Sequence, residues 1–451
     1  MLALCSAVGP MLSIDIALFM FAPLMTLIFL GVPVAFALMS VALVFGIWEF
    51  GDAAVHLFVA KVQEITSSHV LAAAPLFVFM GAMLERSGTA ERLFEAIHMW
   101  TRRMPGGLAV GTIAMCVLFA ASSGVVGATE TVVGMLAIPV MLRYGYDKGL
   151  ISGTICAGGS LGSIIPPSVL VVILSLIAEI GIGEMFAGMI FPGLMLAGSY
   201  VLYILLRCTL DPKSGPRLPP SDDDPSLAEK LRITAVALLP PVVLIFVVLG
   251  TILVGMAVPT EAASMGAVGA VVLTVIYRNF TFAVLREAIL KTISITAMIL
   301  TILLGGTMFS SVFVGIGGLL AAERAIEFMA FGPWGTLFLI LALTFLAGFV
   351  MDVLSIILIV VPIAVPLIMG FGFDIIWFFI LLLITLQTSL LTPPMAGAIF
   401  YLRAIAPPEI TLRDMYRGMT PFILLHFVVL ALVMVFPELA LWLPDKLLGF
   451  D

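Results

Sequence analysis

A succession of apolar runs, each close to the length of a membrane crossing, constrains this chain more than any other feature. Such runs lie near 14–30, 33–48, 70–85, 149–180, 185–207, 235–255, 261–277, 291–312, 375–403 and 419–439. A crossing helix takes about 20 predominantly apolar residues. Backbone in hydrocarbon must satisfy its hydrogen bonds within the segment, so runs of this length have to be helical. Charged residues make up 10% of the 451 and apolar ones 62%, whereas a soluble domain carries about 25% charge. The expected class is an all-α polytopic membrane protein. No basic stretch precedes the first run and no small-residue cleavage site follows it, so removal of a leader is not expected. Cys5, Cys116, Cys156 and Cys208 are scattered, and His56, His69, His98 and His426 form no HExxH or i, i+4 pair. Neither a metal centre nor a histidine-based catalytic group is signalled.

One segment, residues 207–232, cannot cross a membrane, because it holds five prolines and ten charged residues. The halves on either side of it match each other. Pro139 to Asp147 (PVMLRYGYD) aligns with Pro366 to Asp374 (PLIMGFGFD) at an offset of 227, and the same offset carries Pro166-Pro167 onto Pro393-Pro394. With small gaps, Ala90-Glu91-Arg92 matches Ala322-Glu323-Arg324, Pro105 matches Pro333, and Met185 to Gly188 matches Met415 to Gly418. The chain is an internal duplication.

Segments 86–103, 143–148, 207–232, 278–291 and 403–417 hold 17 of the 20 lysines and arginines. Placing them in the cytoplasm satisfies the positive-inside bias and puts both termini outside. Arg143 and Lys148 then lie inside, while the matching turn 370–374, which has no lysine or arginine, lies outside. The duplication is therefore expected to be inverted, the architecture of secondary transporters. The chain divides into N-terminal scaffold helices (1–69), a first repeat (70–207), a cytoplasmic linker (208–232), a second scaffold helix pair (233–290) and a second, inverted repeat (291–451).

Each repeat contains one apolar block that resists a simple count. Block 104–142 centres on Phe119 to Glu130 (FAASSGVVGATE) and fits either two full crossings or a re-entrant hairpin. Arms of roughly 15 residues reach about 22 Å of a core about 30 Å thick, which favours the hairpin. Block 331–373 is its mate, with a tip at Leu346 to Ser355 (LAGFVMDVLS).

After each block comes a helix with a proline pair in its middle. Broken helix 149–180 carries GGSLGSIIPPS and broken helix 375–403 carries QTSLLTPP. A proline pair removes two donors and pushes the preceding residue out of the helical region. Carbonyls near Gly162 to Ile165 and Ser389 to Thr392 are thus left without helical partners. Joined by serine and threonine hydroxyls, they form an oxygen cage suited to sodium. Glu130 and Asp352 are the acids inside the two blocks; each is a functional candidate on insertion cost, or a helix cap. Ser163, Ser168 and Thr388 join Glu130 as candidates for substrate binding or coupling.

The strings ASSGVVGAT, RYGYDKGL, GGSLGSIIPPS, GMAVPTEAA, MDVLSIILIVVPI and LLTPP together resemble the large membrane subunit of tripartite ATP-independent periplasmic (TRAP) transporters, the DctM family, over about residues 10–440. The resemblance implies a multi-pass protein of the bacterial inner membrane. It also implies work with a small four-helix membrane subunit and a periplasmic substrate-binding protein that captures an organic acid. Its hairpins and broken helices would move as one body, elevator-like, driven by sodium with no other cofactor. Sodium positions would fall on Ser122, Ser123, Gly124, Gly159, Ser160 and Gly162, and on Gly348, Met351, Asp352, Ser389 and Thr392. An ion-coupled carboxylate carrier needing no binding protein shares the same repeat and breaks and is the alternative. An enzyme is not expected, because no apolar block offers a nucleophile with a base, and no GxxxxGK[ST] loop occurs to bind a nucleotide.

Overall fold

The computed structural model describes residues 16–123, 127–217, 226–329, 331–393 and 396–449. Among them there is no strand, so every apolar run is helical, as backbone in hydrocarbon requires.

Helices α1 (Phe21–Phe29) and α2 (Val34–Phe50) meet at Pro33, which precedes the first turn of α2. α3 (Ala53–Ser67) bends by 57° into α4 (Ala73–Arg86), and Gly88, at φ +75°, starts α5 (Thr89–Thr101). α6 (Gly107–Ser123) and α7 (Ala128–Arg143) are the arms of the first block. α8 (Lys148–Ser160) and α9 (Val169–Ala178) are the halves of the first broken helix, and α10 (Ile182–Leu210) follows. Beyond the linker come α11 (Leu227–Leu253), α12 (Pro259–Ile276), α13 (Phe282–Gly315) and α14 (Gly318–Met329). The second block is α15 (Gly332–Ala347) and α16 (Val353–Gly370), the second broken helix is α17 (Ile375–Leu391) and α18 (Gly397–Ile405), and α19 (Leu412–Val435) and α20 (Glu438–Leu448) close the chain.

Helices α10, α11, α12, α13, α16 and α19 are long and apolar enough to cross a membrane, and the bent pair α3–α4 makes a seventh. The chain is a multi-pass membrane protein. Block arms α6 and α15, and half-helices α9 and α17, are apolar but shorter than 18 residues, as are α1 and α2, whereas block arm α16 has the length of a crossing.

The repeat is visible in local geometry. Gly145 and Gly372, 227 positions apart, both sit at positive φ, at +73° and +76°. Two residues on, Asp147 Oδ1 accepts from the Leu150 N–H and Asp374 Oδ1 from the Trp377 N–H, both at 2.9 Å. Each aspartate thereby caps the start of a broken helix, satisfying a donor that the first turn leaves free.

Several boundaries differ from the sequence expectation. The expected linker 208–232 shrinks at both ends, because α10 runs to Leu210 and α11 starts at Leu227, where the Ser226 hydroxyl accepts from the Glu229 N–H. α13 begins at Phe282 rather than near 291, extending to 34 residues behind a Thr281 cap. The short helices α3, α5, α14 and α20 lie outside the expected runs. In α5, Thr89, Ala90, Leu93, Ala96 and Ile97 are buried while Glu91, Arg92 and Glu95 face out. Such an amphipathic period carries too little total apolarity to register as a run.

The segments rich in basic residues gather at one end of the molecule. Arg86 pairs with Glu287 at 3.0 Å, Lys291 pairs with Glu85, Arg92 lies over the Tyr277 ring, and Asn279 donates to the Ser87 carbonyl. Arg207 pairs with Asp147 at 2.8 Å, and residues 214–215 accept from the N–H groups of Asp147 and Gly106. The Ser214 hydroxyl, donating to Asp211, holds that carboxyl below its ordinary value. Gly149 packs against the backbone of Asp414.

α13 lies along α2, α4 and α16, with α12 and α11 beyond α4, while α8 lies among α6, α7 and α19. The α8–α19 crossing is the closest: a Cβ on Gly418 would collide with the Gly149 carbonyl, and one on Gly153 with the Gly418 carbonyl. Small residues four apart let two backbones touch, the usual basis of tight helix pairs in membranes.

Candidate functional site

The site is built where the second hairpin tip, the two breaks and α13 converge. In the first break, α8 ends at Ser160 and a 3-10 turn covers Leu161–Ser163. The residues that would donate to the carbonyls of Gly162 and Ser163 are Pro166 and Pro167, which have no N–H. Ser160 Oγ donates to the Ala157 carbonyl at 2.8 Å and Ser163 Oγ to the Ser160 carbonyl at 2.9 Å. Their hydroxyl hydrogens are thereby engaged; the Ser163 lone pairs remain for a ligand, while Ser160 Oγ also accepts from Gln387 Nε2. Ser168 precedes α9 in extended conformation with its buried hydroxyl unpartnered.

The second break repeats the device. Thr388 Oγ1 donates to the Ile384 carbonyl, Ser389 Oγ to Leu386 and Thr392 Oγ1 to Thr388, each at 2.7 Å. Thr392 then leaves the helix with ψ 129°. Gly348, at the second tip, sits so close to Ser389 that a Cβ would collide with the serine hydroxyl. The tip and break expected to share an ion are therefore in contact. Asp352 caps α16, accepting from the Ser355 N–H at 3.1 Å and from its hydroxyl. It thus makes the cap weighed from sequence, with its side chain still exposed.

The first tip is held differently. Gly124 lies outside the described residues, as do the side chains of Ser122 and Ser123. Gly127 opens α7 at φ +89°, and its N–H donates to Glu130 Oε2 at 2.7 Å. Glu130 is fully buried and packs on Gly159, where a Cβ would collide with its Cγ and its carboxyl carbon. Hairpin and break thus touch in this half too. Tyr401 of α18 fills the space beside Gly127, its ring 2.7 Å from where a Cβ would stand.

A hydrogen bond joins the two broken helices. Gln387 Nε2 donates to Ser160 Oγ at 3.0 Å, and both residues are buried. They are 227 positions apart, the offset of the duplication, so each residue contacts its own repeat mate. Sequence reasoning missed Gln387, although carrying the offset of the proline pair back to Ser160 would have found it. His426 packs in the core, buried between the Tyr200 hydroxyl at 3.0 Å and the Phe422 carbonyl.

A cavity of about 330 Å³ lies between these elements and α13. Gly348, Met351 and Asp352 of the tip line it, with Tyr401, Ile299 of α13 and the first residues of α9 and α18, Val169 and Gly397. Asp352 is the one charged side chain among its described lining residues. Glu130, Ser163, Ser168 and Thr388 do not line it.

Residues 21–439 match the family described as the tripartite ATP-independent periplasmic transporter, DctM component. The chain is 31% identical to the C4-dicarboxylate TRAP transporter large permease protein DctM of Pseudomonas aeruginosa, over 88% of this chain and 91% of that one. It is 29% identical to the sialic acid large permease SiaM of Vibrio cholerae, over 94% and 97%. It is 30% identical to the ectoine/5-hydroxyectoine large permease UehC of Ruegeria pomeroyi, over 94% and 98%. Among solved structures, the YdaH transporter of Alcanivorax borkumensis, with an unusual topology, superposes with a TM-score of 0.66 at 16% identity, covering 94% of this chain and 99% of that one. That likeness is one of fold.

Proposed function

We propose, because the chain belongs to the DctM family, the large permease component of TRAP transporters, that it imports a small organic acid with sodium across the bacterial inner membrane. The permeases it is similar to serve C4-dicarboxylate, sialic acid and ectoine systems, and each of those compounds carries a carboxylate. A substrate-binding protein delivers the acid, and a small membrane subunit completes the complex.

The observation that carries this reading is the cavity opened on by two half-helices. Val169 begins α9 and Gly397 begins α18, and both residues line it. Helix N-termini carry unsatisfied N–H groups and partial positive charge, a seat for a carboxylate where no arginine or lysine is provided. Hydroxyls at Ser160, Ser389 and Thr392, with carbonyls freed by the breaks, supply hard oxygen ligands for sodium on either side. The contacts of Glu130 with Gly159 and of Gly348 with Ser389 support motion of each hairpin with its break as one body against α13. One charge moved through 100 mV yields about 2.3 kcal/mol, so two sodium ions supply about 4.6, roughly thousandfold accumulation for a substrate whose own charge does not cancel theirs; a monocarboxylate, carrying one negative charge inward, leaves about 2.3, or about fiftyfold.

The test is uptake into proteoliposomes that hold the permease and the small subunit, with loaded binding protein outside. Uptake is expected only with an inward sodium gradient, and Ser160→Ala or Thr392→Ala should raise the sodium concentration for half-maximal rate. Uptake indifferent to sodium overturns the coupling; robust uptake without the binding protein overturns the delivery step.

A further inference from the structure

Glu130 has a carboxylate with nothing to balance it. The side chain is fully buried, Oε2 accepts the Gly127 N–H at 2.7 Å, and Oε1 has no hydrogen-bond partner. No ion pair to it exists among the described residues. No lysine, arginine or histidine is paired with it among the described residues, and the titratable groups that face it are Cys116, Cys156 and Tyr401. α6 and residues 124–127 hold no lysine, arginine or histidine. α7 and α8 each have one, Arg143 and Lys148, but at their far ends, more than ten residues or about 15 Å from the carboxylate. α18 has Arg403, which donates to the Ile410 carbonyl. α17, which packs on α8, has none.

A buried, unpaired carboxylate inside a membrane protein is strongly unfavourable unless it takes up a proton or a counter-charge reaches it. The carboxyl group packs where the first hairpin meets Gly159, one residue before Ser160 and three before the carbonyls released by the proline pair. The adjoining break offers hydroxyls and carbonyls, the hard-oxygen ligand type that suits alkali cations. Gly159 keeps the space open, since a Cβ would displace the carboxyl group.

We infer that Glu130 supplies the charged ligand of a monovalent-cation site at the junction of the first hairpin and the first break. Ion and carboxylate then cross together as a neutral pair. This rests on the sodium coupling proposed above and adds an anionic ligand to what is otherwise a cage of hydroxyls and carbonyls. Glu130→Gln tests it, because the amide oxygen still accepts from Gly127 and keeps the cap while the charge is lost.

The measurement is sodium-dependent thermal stabilisation of the purified complex from pH 6 to 8, with potassium and N-methylglucamine as controls. Glu130→Gln is expected to raise the half-saturating sodium concentration at least tenfold at every pH. An unchanged midpoint overturns the inference, as does a variant that differs only in a flattened pH dependence, which assigns the carboxyl a proton instead. If wild type shows no response to sodium, the coupling itself falls; if wild type responds and the variant matches it, only the role of Glu130 falls. Should the variant not fold, infrared difference spectra of wild type decide. Sodium should perturb an ionised carboxylate stretch, and a protonated carboxyl band in the sodium-loaded state overturns the site.

Discussion

Replacing Ser160 with alanine should destabilise the protein more than replacing Gln387 with leucine, although the two residues share one hydrogen bond. Gln387 Nε2 donates to Ser160 Oγ at 3.0 Å, and the amide's other atom, Oε1, is buried without a partner. Ser160→Ala therefore strands the amide nitrogen as well, leaving a side chain with no satisfied polar atom. An orphaned buried group costs about 1–3 kcal/mol. Gln387→Leu removes the nitrogen and the unsatisfied oxygen together, while Ser160 Oγ keeps its bond to the Ala157 carbonyl. What is lost is one neutral hydrogen bond, about 0.5–1.5 kcal/mol, offset by disposal of the orphan oxygen. A gap of about 1 kcal/mol between the variants is expected, roughly fivefold in the folded-to-unfolded ratio. In the double variant, Ser160→Ala should add little to Gln387→Leu. Reversible unfolding in mixed micelles, run as a double-mutant cycle, reads all four corners. Additive effects, or a leucine variant less stable than the alanine one, would refute the reasoning.

Two further outcomes follow from the packing and the charge distribution. Gly418→Ala should destabilise by about 1–3 kcal/mol, because its Cβ has only the Gly149 backbone to enter, whereas Gly198→Ala, with nothing within 4 Å of its Cβ, should not; equal melting temperatures for the two would contradict the crossing. A cysteine placed between 213 and 225, among the basic segments gathered at one end, should react only with reagents that reach the cytoplasm, and labelling from outside would reverse the topology.

The features legible in the sequence are those that depend on covalent structure close at hand. Proline has no N–H wherever it occurs, so the Pro166-Pro167 pair announced a break that the structure places after Ser160, and the second pair a break after Leu391. Aspartate caps at Asp147 and Asp374 and left-handed glycines at Gly145 and Gly372 lie in a matched string, because turn geometry is set by a few neighbouring residues. Total apolarity located the long spans, since lipid selects on it directly. The same criterion passed over the short helices α3, α5, α14 and α20; in α5 the apolar residues lie on one face, which counts only once a neighbouring helix covers it. What only the tertiary structure decided is which oxygen meets which neighbour: Ser160 with Gln387, Glu130 with Gly159, Gly348 with Ser389. Two of these pairs join residues dozens of positions apart by helix crossings whose closeness depends on the absence of a Cβ, and the third bridges 227 residues through a single amide. Separation in sequence says nothing about such contacts, because crossing angle and rotation about each helix axis are set by packing of the whole bundle.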